Sequence, residues 1–263
     1  MADRSRDVKD PLALLKSVGG DALASYLRAY HRHDIAFDAA PPEEQVLIVA
    51  NHGFGGVVDL NVLAMSAVIR ATGWTRPTTV LVHQIAWTLG VGKIVEAFGG
   101  KLAGRKAADE AFAAGHNVLV FPGGDVDAGK SWPDRNSIRF GGRDGFARLA
   151  LDNGVPILPV VTAGAGESVL VLSDGRRLAE ALHLSERLRL RALPVTLSVP
   201  WGLNVGLVGL LPYIPLPTKL VTAVLPAIHP SPTDDSGNVA ACVEVVMQVR
   251  LNDLVARRIP LFG

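Results

Sequence analysis

Residues 46–59 read Val-Leu-Ile-Val-Ala-Asn-His-Gly-Phe-Gly-Gly-Val-Val-Asp. Five apolar residues followed by a polar, glycine-rich break have the pattern of a buried strand, and the break delivers Asn51 and His52 at the strand's end, just ahead of a helix. Ligands of open α/β sheets bind at such strand ends. A strand also holds its last side chain more firmly than a loop does, as a histidine must be held if it is to exchange a proton with a bound hydroxyl. Gly53, Gly55 and Gly56 tolerate positive φ, so the chain can fold back and bring Asp59 to His52. Taken alone, the pair reads better as a strand end and a helix cap, because His and Asp at such spacing are common by chance.

Outward from this stretch, short apolar runs alternate with helical periodicity. On the N-terminal side, residues 31–38 alternate polar and apolar and predict an edge strand with His31 and His33 facing solvent. Residues 11–30 predict two short helices, or one bent at Gly19-Gly20, covering the sheet. On the C-terminal side the pattern predicts helices at 60–73, 85–98, 105–114 and 145–152, and strands at 79–83, 117–121 and 155–161. Residues 126–140 read as a polar, basic loop. Beyond Gly166 the pattern is less regular, with strands at 168–172 and 219–225, an apolar run at 195–199, a helix at 176–190 and a closing amphipathic helix at 238–258. This alternation predicts a single α/β domain spanning residues 1–263, with a mostly parallel central sheet and helices on both faces.

Composition narrows the function. Twenty-six Lys and Arg against 25 Asp and Glu leave a net charge of +1, without the basic surface of a nucleic-acid binder. The single cysteine, Cys242, lies in the apolar run Val239-Ala240-Ala241-Cys242-Val243. It excludes an intrachain disulfide framework, fits a reducing compartment and reads as a buried core thiol. Residues 1–10 are charged and lack the apolar core of a signal peptide, which predicts a cytoplasmic protein. Hydrophobic residues make up 49% and the mean hydropathy is +0.29, yet no apolar run reaches the roughly 18 residues of a membrane span. The most apolar tract, 194–228, is broken by Pro194, Pro200, Pro212, Pro215, Pro217 and Pro226. Its segment 201–220, with Trp201 and Tyr213, suits contact with a lipid surface or, as the alternative, ordinary core and loop packing.

Other catalytic signatures fail. Gly53-x-Gly55-x-x-Val58 lacks the third glycine of a dinucleotide site, and Gly129-Lys130-Ser131 lacks the upstream glycine of a phosphate loop. No His-Glu-x-x-His zinc motif or Gly-x-Ser-x-Gly elbow occurs.

Four blocks occur in order: Asn51-His52 with Asp59; Gly99-Gly100 with Arg105; Phe121-Pro122-Gly123-Gly124; and Val155-Pro156-Ile157-Leu158-Pro159-Val160. Together they resemble the glycerolipid acyltransferase family of lysophosphatidic-acid-type acyltransferases, over residues 51–160. The sequence departs from the usual pattern in two places. Six residues separate His52 from Asp59 where four are usual, and Gly123 stands where most glycerophosphate acyltransferases have Glu. The Phe-Pro-Gly-Gly form looks more like the neutral-lipid branch that includes diacylglycerol acyltransferases.

The resemblance implies transfer of a fatty acyl group from acyl-CoA or acyl carrier protein to a lipid hydroxyl, with no metal or tightly held cofactor. His52 would be the general base and Asp59 its orienting partner. Moving an acyl group from a thioester to an alcohol requires taking the alcohol's proton, and a histidine titrating near neutrality is suited to that task. Arg105 and Arg143 are candidate contacts for donor or headgroup phosphates, drawn from a basic group that also holds Lys106, Lys130, Arg135, Arg139 and Arg148. Gly123 and Gly124 either present amides to the thioester oxyanion or simply make a tight turn, and Asp125 could supply the carboxylate missing at 123. The expected partners are an acyl donor, a lipid acceptor and the inner face of the membrane. The alternative is a non-catalytic lipid-binding or scaffold protein that kept the fold. A hydrogen bond between His52 and Asp59 separates the two.

Overall fold

The computed structural model describes residues 11–54, 59–82, 92–97, 99–184, 193–206 and 213–263. Its strands are β1 (Asp34–Phe37), β2 (Leu47–Ala50), β3 (Thr78–Val82), β4 (Gly100–Leu102), β5 (Asn117–Val120), β6 (Ile157–Ala163), β7 (Leu170–Ser173), β8 (Val195–Ser198), β9 (Gly202–Val205) and β10 (Val221–Val224). The helices are α1 (Pro11–Tyr30), α2 (Leu60–Thr72), α3 (Gly92–Ala97), α4 (Arg105–Ala113), α5 (Gly124–Ala128), α6 (Gly145–Asn153), α7 (Arg176–Ala181) and α8 (Ser236–Ala256).

Seven strands form the main sheet in the order β1-β10-β6-β2-β5-β3-β4. β6, β2, β5, β3 and β4 are mutually parallel, while β10 pairs antiparallel with β6 and parallel with β1. The uninterrupted apolar runs take the centre: every residue of β2, β5 and β6 is buried, as strands covered on both faces must be. Alternate side chains divide between two cores. Leu47, Val49, Val118, Val120, Ile157 and Val161 pack against α4, α6 and α8, which contribute Phe112, Phe146 and Met247. Val46, Ile48, Leu119 and Leu158 face the other way, onto Met65 and Val68 of α2. α1 covers α2 through Leu27 and Leu60. Mostly parallel sheet and helices on both faces are thus as the alternation predicts.

α1 is one helix that runs through Gly19-Gly20, so of the two expectations the pair of separate helices is set aside. The 126–140 loop contains the short helix α5 and a 3₁₀ turn at Trp132–Asp134. Of the predicted helices, that at 85–98 is seen as α3 and that at 176–190 begins as α7, while 85–91, 98 and 185–190 lie outside the described residues. β7, β8 and β9 form a separate antiparallel sheet.

Three burial expectations are corrected. β1 is an edge strand, but His31 and His33, just before it, are buried. The backbone N–H of Leu220 donates to His31 O, and that of Asp34 to Leu220 O, so the chain entering β10 covers them. Cys242 is exposed: α8 buries Val239, Val243, Met247, Leu251 and Leu254 and turns Cys242, Val245 and Val249 outward. Tyr213 does not reach an interface but packs inward with Phe54, Val169 and Val171.

Candidate active site

β2 stops at Ala50, and Asn51 fastens its end to the neighbouring strand. Asn51 Nδ2 donates to Thr162 O at 3.1 Å and the Thr162 amide donates back to Asn51 Oδ1 at 2.9 Å. The next residue, His52, therefore leaves a pinned strand end. The turn after it is tight, since a Cβ on Gly53 would lie 2.6 Å from Ala165 Cβ.

Asp59 is the N-cap of α2. Its Oδ1 accepts from the amides of Asn61 at 2.8 Å and Val62 at 3.4 Å. Its Oδ2 lies 2.6 Å from His52 Nδ1. A carboxylate can only accept, so Nδ1 carries the ring proton and Nε2 presents a lone pair. Nε2 has no partner among the described residues. The imidazole stacks on Phe121 with ring centres 4.6 Å apart. The His52 side chain keeps 17% exposure against 7% for Asp59, so the base is reachable while its partner is screened. Burial, reinforced by the nearby Asp59 charge, raises the Tyr213 phenol above its usual range and keeps it protonated.

Asp127 and Lys130 complete the surroundings of His52. Asp127 Oδ2 accepts from the His52 amide at 2.7 Å, and its Oδ1 accepts from Lys130 Nζ at 2.7 Å and the Arg139 amide at 3.0 Å. Lys130 Nζ also donates to His52 O at 3.3 Å and Ser137 O at 2.5 Å. Both side chains are buried. Lys130 therefore has no head group to offer a phosphate, which corrects its place in the basic group.

The remaining candidates are more dispersed. Arg143 Nη1 donates to the carbonyls of Pro122 at 3.2 Å and Gly123 at 2.5 Å, tying Arg143 to the turn beside Phe121. Gly124 has φ of +51° and its amide donates to Phe121 O at 3.2 Å, the geometry of a tight turn. A Cβ at 123 would sit 2.2 Å from Asp127 Cβ and 2.6 Å from Arg139 O. That crowding explains glycine where the resemblance expects Glu. Asp125 lies in α5, and its side chain is outside the described residues. Arg105 opens α4, which follows the edge strand β4 and packs over β3 and β5, and it pairs with Asp152 at 2.8 Å and Asp109 at 3.6 Å. Arg139 pairs with Asp134, Arg148 with Asp144 and Lys106 with Glu110, while Arg135 lies over Trp132.

Sequence reasoning named His52 and Asp59, which meet, and missed Asp127. Asp127 lies in α5 and Lys130 two residues beyond its end, and a five-residue helix shows no period by which to recognise the pair.

A family model described as Acyltransferase matches residues 33–163. An uncharacterized protein of Mycobacterium leprae is 30% identical over 200 residues, covering 75% of this chain and 51% of that one. The DGAT1/2-independent enzyme synthesizing storage lipids of Gallus gallus is 29% identical over 169 residues, 64% of this chain and 48% of that one. The chain thus spans about half the length of these relatives. In three dimensions it is similar to the 1-acyl-sn-glycerophosphate (LPA) acyltransferase PlsC of Thermotoga maritima. The TM-score is 0.53 at 16% identity, over 97% of this chain and 84% of that one.

Proposed function

From a chain that belongs to the acyltransferase family of glycerolipid enzymes, we propose that it moves a fatty acyl group from acyl-CoA or acyl carrier protein to the hydroxyl of a glycerolipid or other lipid alcohol. The observation that carries this reading is the 2.6 Å contact between His52 Nδ1 and Asp59 Oδ2, with the His52 side chain partly exposed and its Nε2 without a partner among the described residues. His52 Nε2 removes the acceptor's hydroxyl proton as its oxygen attacks the thioester carbonyl. Asp59 holds the tautomer and offsets the charge of the imidazolium. Collapse of the tetrahedral intermediate breaks the carbon–sulfur bond, and the departing thiolate takes the proton back from His52. The step is balanced by the protein's own base, with no metal or cofactor in it. Arg105 and Arg143 are proposed for donor or headgroup phosphates, with Gly123, Gly124 and Asp125 at the reacting end.

The partner surface is a membrane, and the protein acts from its cytoplasmic side as a peripheral enzyme. Among the described residues no helix is long and apolar enough to cross a bilayer. The small sheet instead shows an apolar face: Leu197 stands opposite Leu203, flanked by Leu172, Val205 and Trp201, all exposed. Apolar faces of this kind mark lipid or protein contact.

Release of free thiol from a panel of acyl-CoAs, given monoacylglycerol, diacylglycerol and lysophospholipid acceptors, tests the reading. Acceptor-dependent release should fall by about 10²–10⁴ in His52→Ala, with folding intact. Saturable lipid binding without release by any acceptor would establish the scaffold alternative instead.

A further inference from the structure

We propose that Asp127 and Lys130 act as a positioning clamp on the peptide of His52, setting where the imidazole stands between Asp59 and a bound hydroxyl. The inference deepens the acyltransferase reading and rests on it for its kinetic arm only. Three observations carry it. The pair holds both polar atoms of one residue's backbone: Asp127 takes the His52 N–H and Lys130 donates to its carbonyl. The remaining bonds of both side chains go to Ser137 O and the Arg139 amide, so the 121–143 segment and the end of β2 are joined through this one ion pair. That same segment supplies Phe121, on which the ring of His52 stacks.

Burying two charges is an expensive way to stabilise a fold. Desolvation cancels most of the attraction, and apolar residues of similar size often do as well. Held with every hydrogen bond made, however, such a pair fixes geometry in a way that soft packing cannot. Errors of about 1 Å in the placement of a reacting group cost on the order of a hundredfold in rate. Neither side chain touches the imidazole nitrogens, so the role is positioning and not proton transfer.

The buried Glu167–Arg258 pair is the control. Its side chains are as deeply buried, but its hydrogen bonds go to Thr218, Lys219 O and the Leu261 amide and none to His52; Glu167 Oε1 also lies 4.0 Å from Arg135 Nε. The experiment compares Asp127→Asn, Lys130→Met and the double variant Asp127→Asn/Lys130→Gln with Arg258→Met. The double variant strands no buried charge and keeps amide groups for hydrogen bonding. Two readouts are taken below each protein's melting range: kcat and KM for acyl transfer, and the NMR resonance of the His52 Nδ1 proton, which reports its bond to Asp59 without substrate.

The clamp variants should lose between about 10- and 100-fold in kcat, with KM changed less than about threefold and the resonance shifted or lost. Arg258→Met should melt earlier, yet keep kcat within about twofold and leave the resonance in place. A folded double variant with wild-type resonance and turnover would overturn the clamp. So would an equal disturbance of His52 in Arg258→Met. If the wild-type protein transfers no acyl group, the acyltransferase reading fails, and the resonance still decides the clamp.

Discussion

Two buried ion pairs do opposite jobs in this molecule. Asp127 and Lys130 have side chains 1% and 2% exposed, and Glu167 and Arg258 are 1% and 3% exposed. The desolvation penalty is therefore similar for both. They differ in what the spare hydrogen bonds hold. The first pair binds the backbone on either side of His52 Cα. The second binds the C-terminal segment, with Glu167 accepting from Arg258, Thr218 Oγ1 and the Leu261 amide. Burial alone cannot tell an active-site group from a fastener. The partners can.

The largest effect expected is one that leaves stability almost untouched. Asp59→Asn keeps an N-cap for α2, since Asn caps a helix as well as Asp does, but replaces the carboxylate that fixes the His52 tautomer. Turnover should fall by about 10²–10⁴ while the melting temperature moves by only a few degrees. A loss of turnover that tracked a large loss of stability would make Asp59 a cap and nothing more.

Arg258→Met marks the other side of the comparison. Removing one member of a buried pair leaves Glu167 uncompensated, and about 3–5 kcal/mol of stability should go, measured by denaturant unfolding. Local opening near residues 218–220 and 258–261 should rise in hydrogen exchange while β2 stays protected.

How much of this was legible in the sequence follows the same division. The central sheet was readable because β2, β5 and β6 are continuous apolar runs, and a strand buried on both faces announces itself in composition. His52 and Asp59 were readable because a polar pair at a strand end and a helix start is a local arrangement. The Glu167–Arg258 pair was not, as nothing local links residues 91 apart. Asp127 and Lys130 are near in sequence, but Asp127 sits on a helix of five residues and Lys130 just past its end, so Lys130 looked like a surface cation. Cys242 misled for a different reason: α8 is apolar on both faces, and periodicity then cannot say which one meets the sheet. His31 and His33 follow the alternation of an edge strand, and what covers them arrives almost two hundred residues later.

His33 offers a third case, a buried ionisable group with no opposite charge paired to its ring. Its Nε2 lies 2.8 Å from Thr222 Oγ1, which in turn meets Thr162 Oγ1 at 2.8 Å. Burial drives its pKa down to about 4; Asp34 pulls against this, and Lys219 and His31 add to it. The neutral ring is therefore favoured in the fold. In the unfolded chain the ring takes up a proton near pH 6.5. His33 thus contributes full stability above that value and loses it as pH falls from about 6.5 to about 4. The protein should be about 2 kcal/mol less stable at pH 5 than at pH 7.5 on account of this group, and His33→Gln should remove that part of the slope. His31 is shifted the same way by burial, so a residual slope of the same sign should survive the substitution. Unfolding curves at the two pH values, taken on both proteins, check the difference. An unchanged slope in the variant would assign the acid sensitivity elsewhere.

The smallest effect on the fold should come from the apolar face of β8 and β9, where Leu197 and Leu203 are largely exposed and mainly have each other as partners. Leu203 is 67% exposed and Leu197 47%. Replacing both by Asp loses one cross-strand pair and sets two like charges opposite each other, which should lower stability by about 1 kcal/mol in all. If the face meets a bilayer, the same change withdraws two leucine side chains from lipid and places two charges against it. Each buried leucine is worth about 1.5–3 kcal/mol. Co-sedimentation with phosphatidylglycerol/phosphatidylethanolamine vesicles should then fall by at least about tenfold. Transfer to a water-soluble acceptor should stay near the wild-type rate, because the substituted side chains point away from the Phe54–Tyr213 cluster beside the dyad. Vesicle binding that survives the double substitution would move the lipid contact to another surface and leave the His52 chemistry as it stands.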